Sequence, residues 1–171
     1  MHSLLKPRQI HSSIFDINLM SLWNQGYQNI IIDVDNTMTA WNRYITTPKL
    51  KNWALIAKDI GFRICLLSNS NQSKVKQFAL DLGVISSPVG GKPFPRAFRS
   101  ALSALGASVK NTLVIGDQIF TDILGGNRIG LYTILVDPID KREFIGTKLS
   151  RLMEQLVAGR RYVCKSHRQP R

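Results

Sequence analysis

The sequence predicts an α/β fold in which helices cover both faces of a doubly wound parallel sheet. Short β-branched or apolar runs are typical of strands buried on both faces, and four occur, at residues 30–33, 64–67, 113–115 and 132–136. Between and around these runs, apolar residues recur with the helical period. A chain of 171 residues suits one domain with a single core.

The helices follow from apolar stripes. A short one is expected around Leu19, Leu22 and Trp23, and Gly26 suits the left-handed position after its end. Four longer stripes are Leu50, Trp53, Ala54 and Ala57; Val75, Phe78, Ala79 and Leu82; Phe94, Ala97, Phe98, Ala101, Leu102 and Leu105; and Leu149, Leu152, Met153, Leu156 and Val157. We expect one domain over residues 1–158 and a basic, mobile tail over residues 159–171.

Charge and cysteine content bound the function. The chain has 23 Lys and Arg against 11 Asp and Glu, a net charge of +12, which favours anionic partners without requiring one. Cys65 and Cys164 lie far apart, which argues against a zinc site or disulfide framework and indicates a reducing, cytoplasmic setting. No apolar run approaches the roughly 18 residues of a transmembrane helix, so any membrane contact is expected to be peripheral.

Acidic and polar residues stand at the ends of three predicted strands. In chain order they are Asp33 and Asp35, Ser68 and Asn69, and Asp117 with Asp122 nearby. Ligands of open parallel sheets bind at the carboxyl ends of the strands, so we expect these groups to meet at one rim. Lys92, in the glycine-containing loop Gly90-Gly91-Lys92-Pro93, is expected near the same edge.

Carboxylates gathered at one rim would repel one another and raise their pKa values unless a divalent cation joined them. A hard cation takes carboxylate oxygens, while an ammonium and a hydroxyl can hold phosphate oxygens. One aspartate can then attack phosphorus and form an acyl phosphate, and a second can protonate the departing alkoxide. The set therefore favours phosphoryl transfer.

Simpler interpretations exist for each residue. Asp33 to Thr37 could begin a calcium loop, but Met38 stands where that loop needs Gly and Tyr44 where it needs Glu. Asn69 or Asn71 could cap a helix, and a lone lysine such as Lys92 is usually solvated. Only the order of the whole set at successive strand ends favours chemistry.

In that order, these residues resemble the four motifs of the haloacid dehalogenase (HAD) superfamily, over about residues 29–136. The resemblance implies that Asp33 is the nucleophile of an aspartyl-phosphate mechanism and that Asp35 is acid and then base. It implies phosphate binding by Ser68 and Lys92, and we count Asn69 beside them. It further implies that Asp33, the Asp35 carbonyl and Asp117 hold Mg²⁺, supported by Asp122.

A closer resemblance is to the YqeG family of HAD subfamily IIIA phosphatases. It rests on residues 13–17, 116–122, 125–128 and 133–136, and it covers nearly the whole chain. Relatives include phosphatidylglycerophosphate phosphatases, so the resemblance implies a lipid phosphate, with a soluble sugar phosphate or nucleotide as the alternative. Gly90-Gly91 departs from the family, whose members tend to carry bulkier residues there, and this puts the adjacent pocket wall in question.

No insertion long enough for a cap domain follows the first two strands, so an open site is expected, suited to large or membrane-presented substrates. The apolar residues Ile14, Phe15, Leu19, Leu22 and Trp23 could enter a bilayer surface or simply cover one sheet edge.

Two other classes of protein also use an acidic or basic set of this kind. A phospho-receiver domain has its acidic pair first and its lysine last, whereas here Lys92 precedes Asp117. A nucleic-acid-binding protein would use the basic tail, but that tail lacks basic residues interleaved with aromatics. Both are disfavoured.

Overall fold

The computed structural model describes residues 2–140 of the protein. Residues 1–139 form one compact unit, and residues 140–171 are assigned to a second unit. The predicted C-terminal helix, the domain boundary at residue 158 and the basic tail therefore lie outside the described residues.

Six strands form one parallel sheet in the order β1-β6-β5-β2-β3-β4. They are β1 Gln9–His11, β2 Asn29–Ile32, β3 Arg63–Leu66, β4 Ile85–Ser86, β5 Thr112–Gly116 and β6 Tyr132–Val136. From the central β2 the chain passes to β3 on one side, and later to β5 on the other side. Such a reversal of strand order opens a crevice at the carboxyl end of the sheet, where ligands of this fold class bind.

Within residues 2–140, five α-helices accompany the strands: α1 Leu19–Asn24, α2 Pro48–Ile60, α3 Gln72–Leu82, α4 Pro95–Leu105 and α5 Leu124–Arg128. The sequence sets their ends. Helix α2 begins after Thr47, whose side chain accepts a hydrogen bond from the Leu50 N–H at 3.2 Å, and it ends at Gly61 in the left-handed region. Gly26, after α1, has φ 93°, as predicted.

Alternate residues of each strand supply two cores, one on each face of the sheet. Ile30 and Ile32 join the core formed with α1, α2 and α3, whereas Ile31 joins the core formed with α4. Since successive strand side chains point to opposite faces, a continuous apolar run is what a sheet covered on both sides requires. The predicted doubly wound α/β fold is confirmed.

The structure differs from the sequence predictions in two places and decides between two alternatives in a third. Strands β1 and β4, of three and two residues, were not predicted, because so short a run shows no periodicity. Phe94 was expected on the buried face of α4, but it precedes that helix and is 66% exposed. For the N-terminal apolar residues, two alternatives were open, and burial of Ile14, Leu19 and Leu22 in the core supports a role in covering the sheet rather than entering a bilayer.

Within residues 2–140 the connections leave the carboxyl edge of the sheet without a cap domain. In the same residues, no helix combines the length and the apolar character needed to cross a membrane.

Candidate active site

The strand register brings the predicted residues to one level at the carboxyl edge. Ile32 lies opposite both Leu66 and Ile115. The Asp33 N–H donates to the Ile115 carbonyl and the Leu67 N–H to the Ile32 carbonyl, each at 2.9 Å. The residues that follow these strands therefore enter the crevice at the switch point together.

Lys92 connects the loop before α4 to this edge. Its side chain is 5% exposed, and its Nζ contacts Asp33 Oδ1 and lies 2.7 Å from Asp122 Oδ1. Burial alone lowers the pKa of the ammonium, but Asp122 and Asp33 together outweigh burial, so its pKa is raised. Lys92 is thus a buried cation held between two carboxylates.

Three buried carboxyl groups, those of Asp33, Asp117 and Asp122, each place an oxygen within 4.8 Å of the others. Burial is the main reason that the pKa of Asp33 is raised to about 7; Lys92 opposes this rise and Asp122 adds to it. Burial likewise raises the pKa of Asp117 to about 8, followed by repulsion from Asp33 and Asp122. One lysine does not neutralise this cluster, and a divalent cation would.

Asp122 and Asp117 differ in how many of their carboxyl oxygens have a hydrogen-bond partner. Asp122 is satisfied on both oxygens, by Lys92 Nζ and by the Gln118 N–H at 3.1 Å. Asp117 Oδ1 lies 3.1 Å from the Thr37 hydroxyl, but its Oδ2 is buried without a hydrogen-bond partner. A buried carboxylate oxygen needs a partner, and hard oxygen ligands suit Mg²⁺, so the donor set fits that ion.

Gly116 allows Asp122 to reach this position. A Cβ on Gly116 would lie 2.3 Å from the Asp122 carboxyl carbon, a distance that atoms cannot adopt. Asp122 lies in a π-helical turn, Ile119–Ile123, a rare conformation that is frequent at functional sites. The glycine and the turn together bring the carboxyl group against the end of β5.

Asn69 holds the Lys92 loop in place. Its Oδ1 accepts the backbone N–H groups of Gly91 and Lys92 at 2.8 Å each, and its Nδ2 donates to the Lys92 carbonyl at 3.0 Å. A Cβ on Gly90 would lie 2.5 Å from the Ser68 carbonyl oxygen, and Gly91 has φ 100°. Gly90 and Gly91 thus let this loop pack against the residues that follow β3.

Asp35 has a separate set of partners. Its Oδ2 accepts from the hydroxyls of Ser70 at 2.6 Å, Ser68 at 3.1 Å and Tyr44 at 3.5 Å. Its Oδ1 accepts the Asn42 N–H at 3.0 Å. Asp35 is 5% exposed and is thus fixed through both oxygens.

The structure therefore brings Asp33, Lys92, Asp117 and Asp122 into one cluster, with Asp35 and Ser68 beside it. Asn69 contacts the cluster only through the backbone of the Lys92 loop. Thr37, Ser70 and Tyr44 also contact these carboxyl groups, and no role was predicted for them from the sequence. Ser70 had a signal, a second hydroxyl two residues after Ser68, whereas Tyr44 had none, because its position depends on the path of a loop.

Exposed apolar side chains stand around this edge on the segments that leave the strand ends. They include Trp41, Phe94, Ile119, Phe120 and Ile139, between 38% and 66% exposed. Ile139 is adjacent to the cluster, since its N–H donates to the Asn36 carbonyl at 2.9 Å. Exposed basic residues in the same segments and on α3 and α4 include Arg43, Lys74, Arg96 and Arg99. We call the apolar residues Trp41, Phe94, Ile119, Phe120 and Ile139 the apolar rim.

Comparisons with known proteins agree with this architecture. A family model described as HAD-hydrolase-like matches residues 89–138. A solved structure of an uncharacterized protein from Listeria monocytogenes serotype 4b superposes with a TM-score of 0.53 at 22% identity, covering 78% of this chain and 99% of that one. At that identity the superposition shows the fold alone.

Two curated relatives are more informative. A "Phosphatidylglycerophosphate phosphatase 1, chloroplastic/mitochondrial" of Arabidopsis thaliana is 27% identical over an alignment of 172 residues, which covers 87% of this chain and 48% of the plant protein. The "Probable phosphatase YqeG" of Bacillus subtilis (strain 168) is 35% identical over 151 residues, 88% of each chain. A match of that length on a HAD-like fold shows that this chain belongs to the YqeG family of HAD-type phosphatases.

Proposed function

We propose that this phosphatase hydrolyses phosphate monoesters through a phosphorylated Asp33, with Mg²⁺ as its cofactor. The observation that carries the proposal is the buried contact of Lys92 Nζ with Asp33 beside Asp117 at the switch point. An ammonium there can hold a phosphate oxygen while the adjacent carboxylate attacks phosphorus. A structural ion pair alone has no need of the further buried carboxyl groups.

Asp33, Asp117 and the backbone carbonyl of Asp35 would hold Mg²⁺. Asp122 would lie beside these ligands without binding the ion, held by its hydrogen bonds from Lys92 and the Gln118 N–H. The unpartnered Oδ2 of Asp117 supports this assignment. When bound, the ion neutralises the carboxylates and polarises the phosphoryl oxygens.

In the first step, a carboxylate oxygen of Asp33 forms a bond to phosphorus while the bond from phosphorus to the ester oxygen breaks. Asp35 gives its proton to that departing oxygen, and an alcohol is released. Lys92 and Ser68 hold the non-bridging phosphate oxygens, and Asn69 holds the Lys92 loop so that its ammonium stays in place.

In the second step, a water oxygen attacks phosphorus and its proton passes to Asp35. The bond between phosphorus and Asp33 breaks, which releases inorganic phosphate and restores the Asp33 carboxylate. Asp35 thus ends the cycle protonated, ready for the next ester.

For the substrate we propose a lipid phosphate, namely phosphatidylglycerophosphate. Similarity to the plant phosphatidylglycerophosphate phosphatase supports this choice. The described residues form no cap over the site, and the apolar rim would lie against the acyl region beside a bound headgroup. We accordingly propose a cytoplasmic protein that contacts anionic membrane peripherally, aided by its charge of +12. A soluble sugar phosphate or nucleotide is the alternative substrate.

Phosphate release from a panel of substrates tests both the proposed mechanism and the proposed substrate. We expect phosphatidylglycerophosphate in mixed micelles to be hydrolysed with Mg²⁺, with no activity after chelation by EDTA and inhibition by Ca²⁺, which prefers a higher coordination number. Asp33→Asn should lose several orders of magnitude in kcat with its circular dichroism unchanged. Asp59→Asn, an exposed aspartate on α2, is the control and should retain full activity.

Different outcomes would contradict the proposed mechanism and the proposed substrate. Full activity after exhaustive chelation, or in Asp33→Asn, would disprove the mechanism. If the protein preferred soluble esters, the proposed mechanism would stand and only the proposed lipid substrate would be wrong.

A further inference from the structure

The Asp35 carboxyl group is bonded mainly by residues outside the four HAD-like motifs. Ser70 and Tyr44 donate to Oδ2, and the Asn42 N–H donates to Oδ1. Ser68 also donates to Oδ2, but in the proposed mechanism its hydroxyl holds a phosphate oxygen in the substrate complex. In the substrate complex, Asp35 would then depend on Ser70, Tyr44 and Asn42 for its orientation.

The loop that carries two of these donors follows an unusual path. Asn42 has φ 55° and Tyr44 has φ 45°, in the left-handed region that side chains other than glycine rarely adopt. Such conformations cost free energy and persist where surrounding contacts hold them, often at functional sites. Both residues reach Asp35 by this path.

Helix α3 supplies contacts that hold the loop. The Tyr44 ring packs edge-on against the buried Phe78, with ring centroids 6.0 Å apart. Lys74 Nζ lies 5.9 Å from the centroid of the same ring and donates to Asn42 Oδ1 at 3.2 Å. The Tyr44 side chain thus has its ring fixed on α3 and its hydroxyl directed to Asp35.

From these contacts we infer that Tyr44 and Ser70 are positioning residues that orient Asp35 for proton transfer to and from the reacting oxygen. The inference rests on the proposed role of Asp35. A serine hydroxyl can donate to an ionised carboxylate and accept from a protonated one, so Ser70 can hold Asp35 in both halves of the cycle. Burial chiefly raises the pKa of Tyr44, so its hydroxyl stays protonated as a donor.

A purely structural role would give a different result. Loss of loop anchoring alone would slow all phosphate esters alike, or only lower stability. Loss of proton delivery would slow esters whose leaving alkoxide needs a proton, whereas p-nitrophenolate departs without one. Because kcat/KM reports the steps up to the first irreversible one, it isolates the proton given to the leaving group from the later hydrolysis of the phosphorylated Asp33.

The test compares kcat/KM for p-nitrophenyl phosphate with that for the alkyl phosphate that the wild type hydrolyses best. In Tyr44→Phe and Ser70→Ala we expect kcat/KM for the alkyl ester to fall by about tenfold or more, and for p-nitrophenyl phosphate by less than about threefold. Asp35→Asn is the reference and should show the same selectivity more strongly. Tyr27→Phe, whose ring packs on Tyr132 away from the cluster, is the control and should match the wild type.

Equal losses for both esters, or no loss, in Tyr44→Phe and Ser70→Ala would overturn the inference while Asp35→Asn kept its selectivity. If Asp35→Asn itself showed no selectivity, the proposed acid role of Asp35 would fall, and the inference with it. Should Tyr44→Phe fail to fold, as judged by circular dichroism, Ser70→Ala decides alone.

Discussion

Asp33 and Asp117 are carboxyl groups whose proton affinity changes on folding. In an unfolded chain an aspartate has a pKa of about 3.9. In the folded protein, burial and neighbouring charge raise the pKa of Asp33 to about 7 and that of Asp117 to about 8. Between these limits, the folded protein binds protons that the unfolded chain has released. Stability rises with pH only where the unfolded state binds more protons, so here it should fall.

We therefore predict that, without metal, the free energy of unfolding decreases as pH rises from about 4 to about 8. Mg²⁺ binds the deprotonated carboxylates, so its stabilising effect should be larger at the upper end of this window than at the lower. Urea denaturation in EDTA and in Mg²⁺ across the window measures both trends.

Asp117→Asn serves as the control, because it removes one titrating group and one candidate ligand from the cluster. Its metal-free stability should depend less on pH, and Mg²⁺ should stabilise it less. The prediction is wrong if wild type and variant show the same pH slope in EDTA.

Residues differed in how far the sequence could place them. Asp33, Ser68 and Asp117 were predictable because each follows a buried strand, and parallel register brings strand ends together. Tyr44 was not, because a left-handed backbone at a tyrosine leaves no mark on the sequence pattern. Asn69 was expected near phosphate, but its amide is used by the backbone of the Lys92 loop.

Among the elements, the long stripes and central strands were predictable because burial on a fixed face imposes a period. Edge strands β1 and β4 were not, since so few residues carry no period. The first turn of α3 is a related case: of the two asparagines considered as caps, Asn71 accepts the Lys74 N–H at 3.2 Å, and Asn69 instead holds the Lys92 loop.

Because Asn69 holds the Lys92 loop and Asn71 caps α3, substitution of each residue should have a different effect. Asn69→Ala should free the Lys92 loop and lower kcat/KM by about ten- to a hundredfold, since small displacements of a reacting group are costly. Asn71→Ala should cost about 1 kcal/mol of stability through loss of the helix cap, with kcat/KM unchanged. Phosphate release and urea denaturation on both variants check this. The opposite assignment of effects would show that Asn69 is only a local structural residue.

At the scale of the whole molecule, two features combine at one edge, a site without a cap in the described residues and the apolar rim. The full sequence carries a net charge of +12. Single exposed apolar residues are normal on any surface, but several at one opening are typical of a contact surface. Exposed charges attract anionic lipid at about 1 kcal/mol per basic residue close to the surface, and salt screens this attraction.

The last prediction concerns this edge. Phe94→Ser and Phe120→Ser should lower flotation with anionic liposomes and should reduce kcat/KM for phosphatidylglycerophosphate in micelles severalfold, while soluble esters are hydrolysed as before. Leu80→Ser is the matched control, because Leu80 is 64% exposed but lies on α3 and not on the rim. Wild-type flotation should also decrease as salt increases, since the attraction is electrostatic. If the wild type does not bind anionic liposomes at low salt, or if Leu80→Ser loses as much binding as the rim variants, the apolar rim is not a membrane contact, and the substrate must be sought among soluble phosphates.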